Sequence, residues 1–163
     1  EQRQAKARLG LHLVLLAQGV PFLHAGQEFY RSKGLEENTY NLPDSLNQLD
    51  WLSSTAYETD IQFLRELIAY RKKEELLRLD KAQDIRDYCQ VTWISEKTFS
   101  YSIEKDGRKL HILVNLGDQE WTYRFKQSAR LAIAYPHVYG REQELSQEEF
   151  TVPGHGWILV EQA

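Results

Sequence analysis

The chain has 163 residues, with 20 Lys+Arg against 24 Asp+Glu and a formal net charge of −4. With no basic block beyond Arg71-Lys72-Lys73, which Glu74-Glu75 follows at once, nucleic acid is a poor partner. A single cysteine, Cys89, excludes an internal disulfide and a zinc site built on cysteine pairs, while 42% apolar residues are enough for a core.

Residues 2 to 17 read as a helix: Ala5, Leu9, Leu11, Leu13, Leu15, Leu16 and Ala17 favour one, and no proline interrupts them. Its apolar stretch, Leu9 to Ala17, is about half of the ~20 residues that a membrane span needs, so no membrane partner is expected. It is also no secretory signal peptide. Gly19 and Pro21 end the helix. Val20 to Ala25 is an apolar run of strand length that suits a buried parallel strand. From Gln27 to Thr55 periodicity disappears and Gly, Asn, Asp, Ser and Pro accumulate. A loop this long inside a folded protein is usually functional, and Phe29, Tyr30, Tyr40 and Trp51 argue against disorder.

A second helix is expected over about Glu58 to Leu79, with Ile61, Leu64, Ile68, Leu76 and Leu79 on its apolar face and Thr59 or Ser54 as cap. After Asp80 the pattern changes to period two. Strands are expected around 88–94, 98–104, 110–115, 121–125, 130–135, 149–152 and 157–161, with Asp106-Gly107 as a hairpin turn. Short strands at regular spacing predict an antiparallel β-sandwich. The fold class is therefore α/β plus all-β, divided into residues 1–79 and 80–163. One strand between two helices cannot make a sheet. The first part thus reads as the last unit of a larger α/β fold such as a (β/α)8 barrel, and the chain as a piece of a longer protein.

Gly19-Val-Pro-Phe-Leu-His-Ala-Gly-Gln-Glu28 resembles the segment around the eighth barrel strand of the α-amylase superfamily. Asn38-Thr-Tyr40, Pro43-Asp-Ser45 and Asn47-Gln-Leu-Asp50-Trp51 resemble, more narrowly, type I pullulanases, which hydrolyse α-1,6-glucosidic links in pullulan, amylopectin and glycogen. The resemblance implies the last strand and flanking helices of the catalytic barrel over 1–79, followed by the C-terminal β-sandwich over 80–163. It also implies a retaining mechanism run by an Asp nucleophile, a Glu acid/base and a second Asp, all from earlier barrel strands. No segment here matches those motifs, so no catalytic residue is assigned and the fragment alone is expected to be inactive. The implied partners are an α-glucan and the rest of the barrel.

The resemblance puts Asp44 and Gln48 near bound glucose as substrate-binding residues; the alternative is that Pro43-Asp44-Ser45 is only a turn whose Asp caps the following backbone. Many relatives have Arg where Gln48 stands. Tyr40 is a candidate stacking surface, although an aromatic in a loop is more often a packing anchor. Asn47, Asp50 and Trp51 are expected to fix the loop, and Glu28 to hydrogen-bond loop backbone or an Arg rather than act as an acid or base. His24 has no second ligand near it, so no metal and no cofactor is assigned. Cys89 reads as a small packing residue. Of Trp93, Trp121 and Trp157, at least two are expected in the core. Two alternatives remain open: a carbohydrate-binding or structural β-sandwich module without an enzymatic parent, and part of an α-1,4-acting amylase or glucosidase.

Overall fold

The computed structural model describes residues 2–34, 36–140, 143 and 145–162. Helix α1 (Gln2–Leu16) leads into an irregular stretch, and a 3-10 turn follows at Gln27–Phe29. The single helical turn α2 (Asp44–Asn47) and a second 3-10 turn (Ser53–Tyr57) precede helix α3 (Glu58–Lys73). Helix α4 (Ala82–Tyr88) then introduces strands β1 (Cys89–Trp93), β2 (Thr98–Lys105), β3 (Arg108–Asn115), β4 (Trp121–Ala134), β5 (His137–Val138), β6 (Ser146–Val152) and β7 (Gly156–Gln162).

All pairings are antiparallel, and the ladders join into one seven-stranded sheet in the order β1-β2-β3-β7-β4-β5, with β6 on β4. Alternation along β3 and β7 sends side chains to two apolar layers. Leu110, Ile112, Val114, Trp157 and Leu159 face Leu9, Leu15, Leu16, Phe63 and Leu67 of the helices. Leu113, Ile158 and Val160 face Phe125, Phe150 and Val152 of β4 and β6. Asn115 on β3 reaches β6 at Val152 O, although those two strands share no ladder. The sheet therefore bends back over itself. The bend falls in β4, whose register shifts between Arg124 and Ala129 and again between Leu131 and Ile133. This irregularity makes one long strand of the two expected over 121–125 and 130–135.

Four further expectations change. Residues 20–25 form no strand, because among the described residues no segment pairs with them in a ladder; Val20 is 97% and Phe22 83% exposed. Residues 82–88 are helical, supported by contacts at helical spacing from Gln83 to Asp87 and from Arg86 to Gln83. The second helix stops at Lys73, where Glu74 turns extended and its carboxylate accepts from Leu76 N to start a 3-10 turn. Neither Thr59 nor Ser54 caps α3, whose N-cap is Tyr57. Trp157 is buried and Trp121 half-buried against the second layer, whereas Trp93 is exposed.

One polar pair lies inside the main layer. Trp157 Nε1 donates to His12 Nδ1 at 3.1 Å, and His12 packs on Phe63 with ring centroids 4.9 Å apart. Burial, then repulsion from Arg8, pushes the His12 imidazole down to about 3. Between pH 6.5 and 3 the unfolded chain binds a proton that folded His12 does not, so stability falls as pH drops through this window. The limiting slope is about 1.4 kcal/mol per pH unit. His111, held low chiefly by burial, acts with the same sign. The expected result is a urea midpoint that falls between pH 6.5 and 4.5, and falls less steeply in His12→Gln, whose amide oxygen still accepts from Trp157. Equal slopes in the two proteins would show that His12 takes up its proton in the folded state.

Candidate functional site

The candidate site is the loop between the exposed 20–25 stretch and α3. Its start is fixed by backbone geometry. Gly26 has φ +89°, and a Cβ there would lie 2.8 Å from Arg31 Cβ and 2.9 Å from Leu49 Cδ2. Glu28 Oε2 accepts from Gly26 N at 2.9 Å, which is the local backbone role expected of it. Phe29 is buried and packs on Trp51, centroids 5.7 Å apart.

Tyr30 ties the loop to the rest of the molecule. Its hydroxyl donates to Asp60 Oδ2 at 2.9 Å, while Arg8 Nη1 (3.0 Å) and the Tyr135 hydroxyl (2.7 Å) donate to Asp60 Oδ1. Arg8 also lies 3.9 Å over the Tyr135 ring. Burial acts to raise the Asp60 carboxyl. Hydrogen bonds from Tyr135, Arg8 and Tyr30 outweigh it and hold the group below the usual carboxylate range. The same arrangement, with burial first, pushes Tyr135 up to about 12 and raises Tyr30 further.

The distal part of the loop is gathered by Asn47, Lys33 and Arg31. Asn47 Nδ2 donates to Thr39 O at 2.7 Å and Leu42 O at 2.9 Å. Asp50 Oδ1 accepts from Leu52 N (3.1 Å) and Ser53 N (3.3 Å), opening the second 3-10 turn. Asn47, Asp50 and Trp51 thus all hold the loop together.

The three expected substrate contacts behave differently. Asp44 begins α2 and Gln48 ends it, with Gln48 N donating to Asp44 O at 2.7 Å. Tyr40 lies one short turn earlier and is 83% exposed. Asp44 and Gln48 are also exposed. Among the described residues, none of these three side chains hydrogen-bonds to another group of the chain. They are displayed, as are Asn38, Asn41 and Ser45 beside them, while Asn47 and Asp50 are engaged. His24 is exposed at the entrance, where its backbone N donates to Gln27 Oε1 at 3.2 Å. Among the described residues no three His, Cys, Asp or Glu side chains group in a way that could hold a metal.

No family model matches the chain. A pullulanase of Bacillus subtilis (strain 168) is 39% identical over 102 residues, 63% of this chain and 14% of the relative. The crystal structure of type I pullulanase from Bacillus subtilis str. 168 complexed with maltose superposes with a TM-score of 0.84 at 30% identity, over 100% of this chain and 24% of that one. The chain matches the C-terminal region of type I pullulanase-like debranching enzymes. An isoamylase of Flavobacterium sp is 44% identical over 79 residues, 48% of this chain and 10% of the relative. The debranching glycoside hydrolases are therefore its relatives, and the chain spans only a minor part of each. The sheet with its few helices is the pullulanase-like C-terminal arrangement.

Reading the sequence alone missed Arg8, Tyr30, Asp60 and Tyr135. They come from four separate elements, and no spacing links them. Asp60→Asn is expected to weaken the Arg8 pairing and leave one tyrosine hydroxyl poorly matched. The cost is about 2–4 kcal/mol, the range for breaking a partly buried charged network. Urea denaturation with hydrogen exchange checks this: the midpoint should fall and exchange over 27–34 should rise. A midpoint unchanged from wild type would reduce the network to a surface contact.

Proposed function

We propose that this chain is the C-terminal part of a longer α-1,6-glucan debranching hydrolase. In this reading residues 1–79 are the last unit of a (β/α)8 catalytic barrel and residues 80–163 a C-terminal β-sandwich domain. The observation that carries it is the state of residues 20–25: an apolar stretch of strand length with no ladder partner among the described residues, and with Val20 and Phe22 exposed. A self-sufficient domain buries such residues. Neighbouring barrel strands would pair this segment and cover its side chains.

In such a barrel the loop after the last strand stands at the catalytic mouth. Asp44, Gln48 and Tyr40 then form part of the α-glucan surface. The Asp44 carboxylate accepts from sugar hydroxyls, the Gln48 amide both donates and accepts, and the Tyr40 ring gives a face for a glucose ring. The retaining chemistry is carried by carboxylates on other barrel strands. This segment binds and orients; it supplies no nucleophile and no acid/base.

Two outcomes follow. The 163-residue chain alone should release no reducing sugar from pullulan; activity that tracks its own chromatographic peak would overturn the assignment. A chimera is the second test, with residues 2–162 replacing the matching region of the Bacillus subtilis pullulanase. There Asp44→Ala should lower kcat/KM on pullulan about ten- to hundredfold, the loss of a charge-assisted hydrogen bond worth roughly 1.5–3 kcal/mol. Asp50→Ala should instead lower the melting temperature, because its carboxylate is spent on Leu52 N and Ser53 N. The reverse pattern would exchange the roles of the two aspartates.

A further inference from the structure

The stretch that displays Tyr40 and Asp44 has little apolar core of its own. Between Glu36 and Gln48 only Thr39 is buried. Polar bonds hold its shape, and they converge on one side chain. Asn47 uses both amide hydrogens on main-chain carbonyls that flank Tyr40, Thr39 O at 2.7 Å and Leu42 O at 2.9 Å. Its Oδ1 accepts from Lys33 Nζ at 3.0 Å, and its main-chain oxygen accepts from Arg31 Nη2. Lys33 Nζ closes the ring by donating to Thr39 Oγ1 at 2.6 Å. Pro43 O accepts from Leu46 N and Asn47 N, which fixes Asp44 at the start of α2.

An asparagine side chain has two N–H donors. Both are used here, so Asn47 has none left for a sugar. We propose that Asn47 and Lys33 are positioning residues for α-glucan recognition: they hold the 39–47 turn in one shape, so that Tyr40 and Asp44 meet the glucan as a preformed surface. The inference rests on the reading of Tyr40 and Asp44 as glucan contacts. A turn that is ordered before binding does not lose that freedom when the ligand arrives. Removing the clamp therefore weakens capture of substrate and leaves the chemical step nearly intact, a rise in KM at little change in kcat.

Two measurements test this. In the 163-residue chain, Asn47→Ala and Lys33→Met should each speed amide exchange over residues 39–47 by about tenfold or more, with β3 and β7 unchanged. Lys33→Arg keeps a cationic donor and should stay near wild type. In the chimera, Asn47→Ala should raise KM on pullulan about five- to tenfold with kcat within about twofold. The effects of Asn47→Ala and Asp44→Ala on KM should be non-additive, because one acts through the placement of the other. Lys33→Met gives the same reading with a smaller disturbance should Asn47→Ala lower expression. Additive effects, or a KM that Asn47→Ala and Lys33→Met leave unchanged while Asp44→Ala raises it, would overturn the positioning role. If Asp44→Ala and Tyr40→Ala both leave KM unchanged while the turn opens to exchange, the glucan contacts themselves are wrongly assigned, and the clamp serves stability alone.

Discussion

One carboxylate holds the loop, the helices and the sheet in register. Asp60 stands in the first turn of α3 and accepts from Arg8 of α1, Tyr30 of the loop and Tyr135 at the end of β4. A negative group in the first helical turn is favoured by the helix dipole, and three donors replace the water that burial removes. The same bonds set an orientation that apolar contact alone would leave loose. Phe63 and Leu67 pack α3 against α1 and the sheet, but packing of this kind tolerates sliding. Charge-assisted bonds from three directions do not.

A second polar device fixes where the chain leaves α1. The last carbonyls of a helix have no partner inside it. Arg71 Nη1 donates to Leu15 O at 2.5 Å and Ala17 O at 2.8 Å, and Nη2 to Gly19 O at 2.7 Å. Gln18 adds a bond to Leu76 O and accepts from Leu79 N. The ends of α1 and α3 are thereby sutured together. Gly19, with φ +90°, then turns the chain outward. The 20–25 stretch follows from this: Arg71 and Gln18 hold the chain where it leaves α1, Leu23 packs on the main core, and Val20 and Phe22 stay exposed.

The first helix was legible from helix-forming residues that no proline interrupts, and the second from Ile61, Leu64 and Ile68 at helical spacing. Leu110 to Val114 and Trp157 to Val160 are short apolar runs bounded by turns. Residues 82–88 were hidden because Ile85 and Tyr88 are too few to mark a face, and the helix is held by surface pairs instead. The continuity of β4 was hidden because a bulge breaks its alternation. In the loop, Glu28 and Asp50 were readable as structural groups: a position at a strand end is by itself a weak warrant for chemistry, and Asp50 stands in the segment expected to fix the loop. The Asp60 network was not readable. Its members lie 30 to 75 residues from Asp60, and only the folded chain brings them together.

What sorts the polar residues of the loop is how their hydrogen-bonding capacity is used. Glu28 is engaged by Gly26 N, Asp50 by two backbone donors, Asp60 by three side chains, and Asn47 by two carbonyls and a lysine. Removing any of them leaves its partners unmatched, so each is a structural group. Tyr40, Asp44 and Gln48, like Asn38, Asn41 and Ser45 beside them, are exposed polar side chains whose capacity, among the described residues, goes unused within the chain. A free carboxylate on an exposed turn gains nothing from folding. Its stabilising interactions, if it has any, come from outside the chain. The turn beneath it is nevertheless held by side-chain hydrogen bonds from Asn47, Lys33 and Arg31. Rigid support under an unengaged polar surface is the arrangement that lets a hydroxyl-rich ligand be recognised without first ordering the protein.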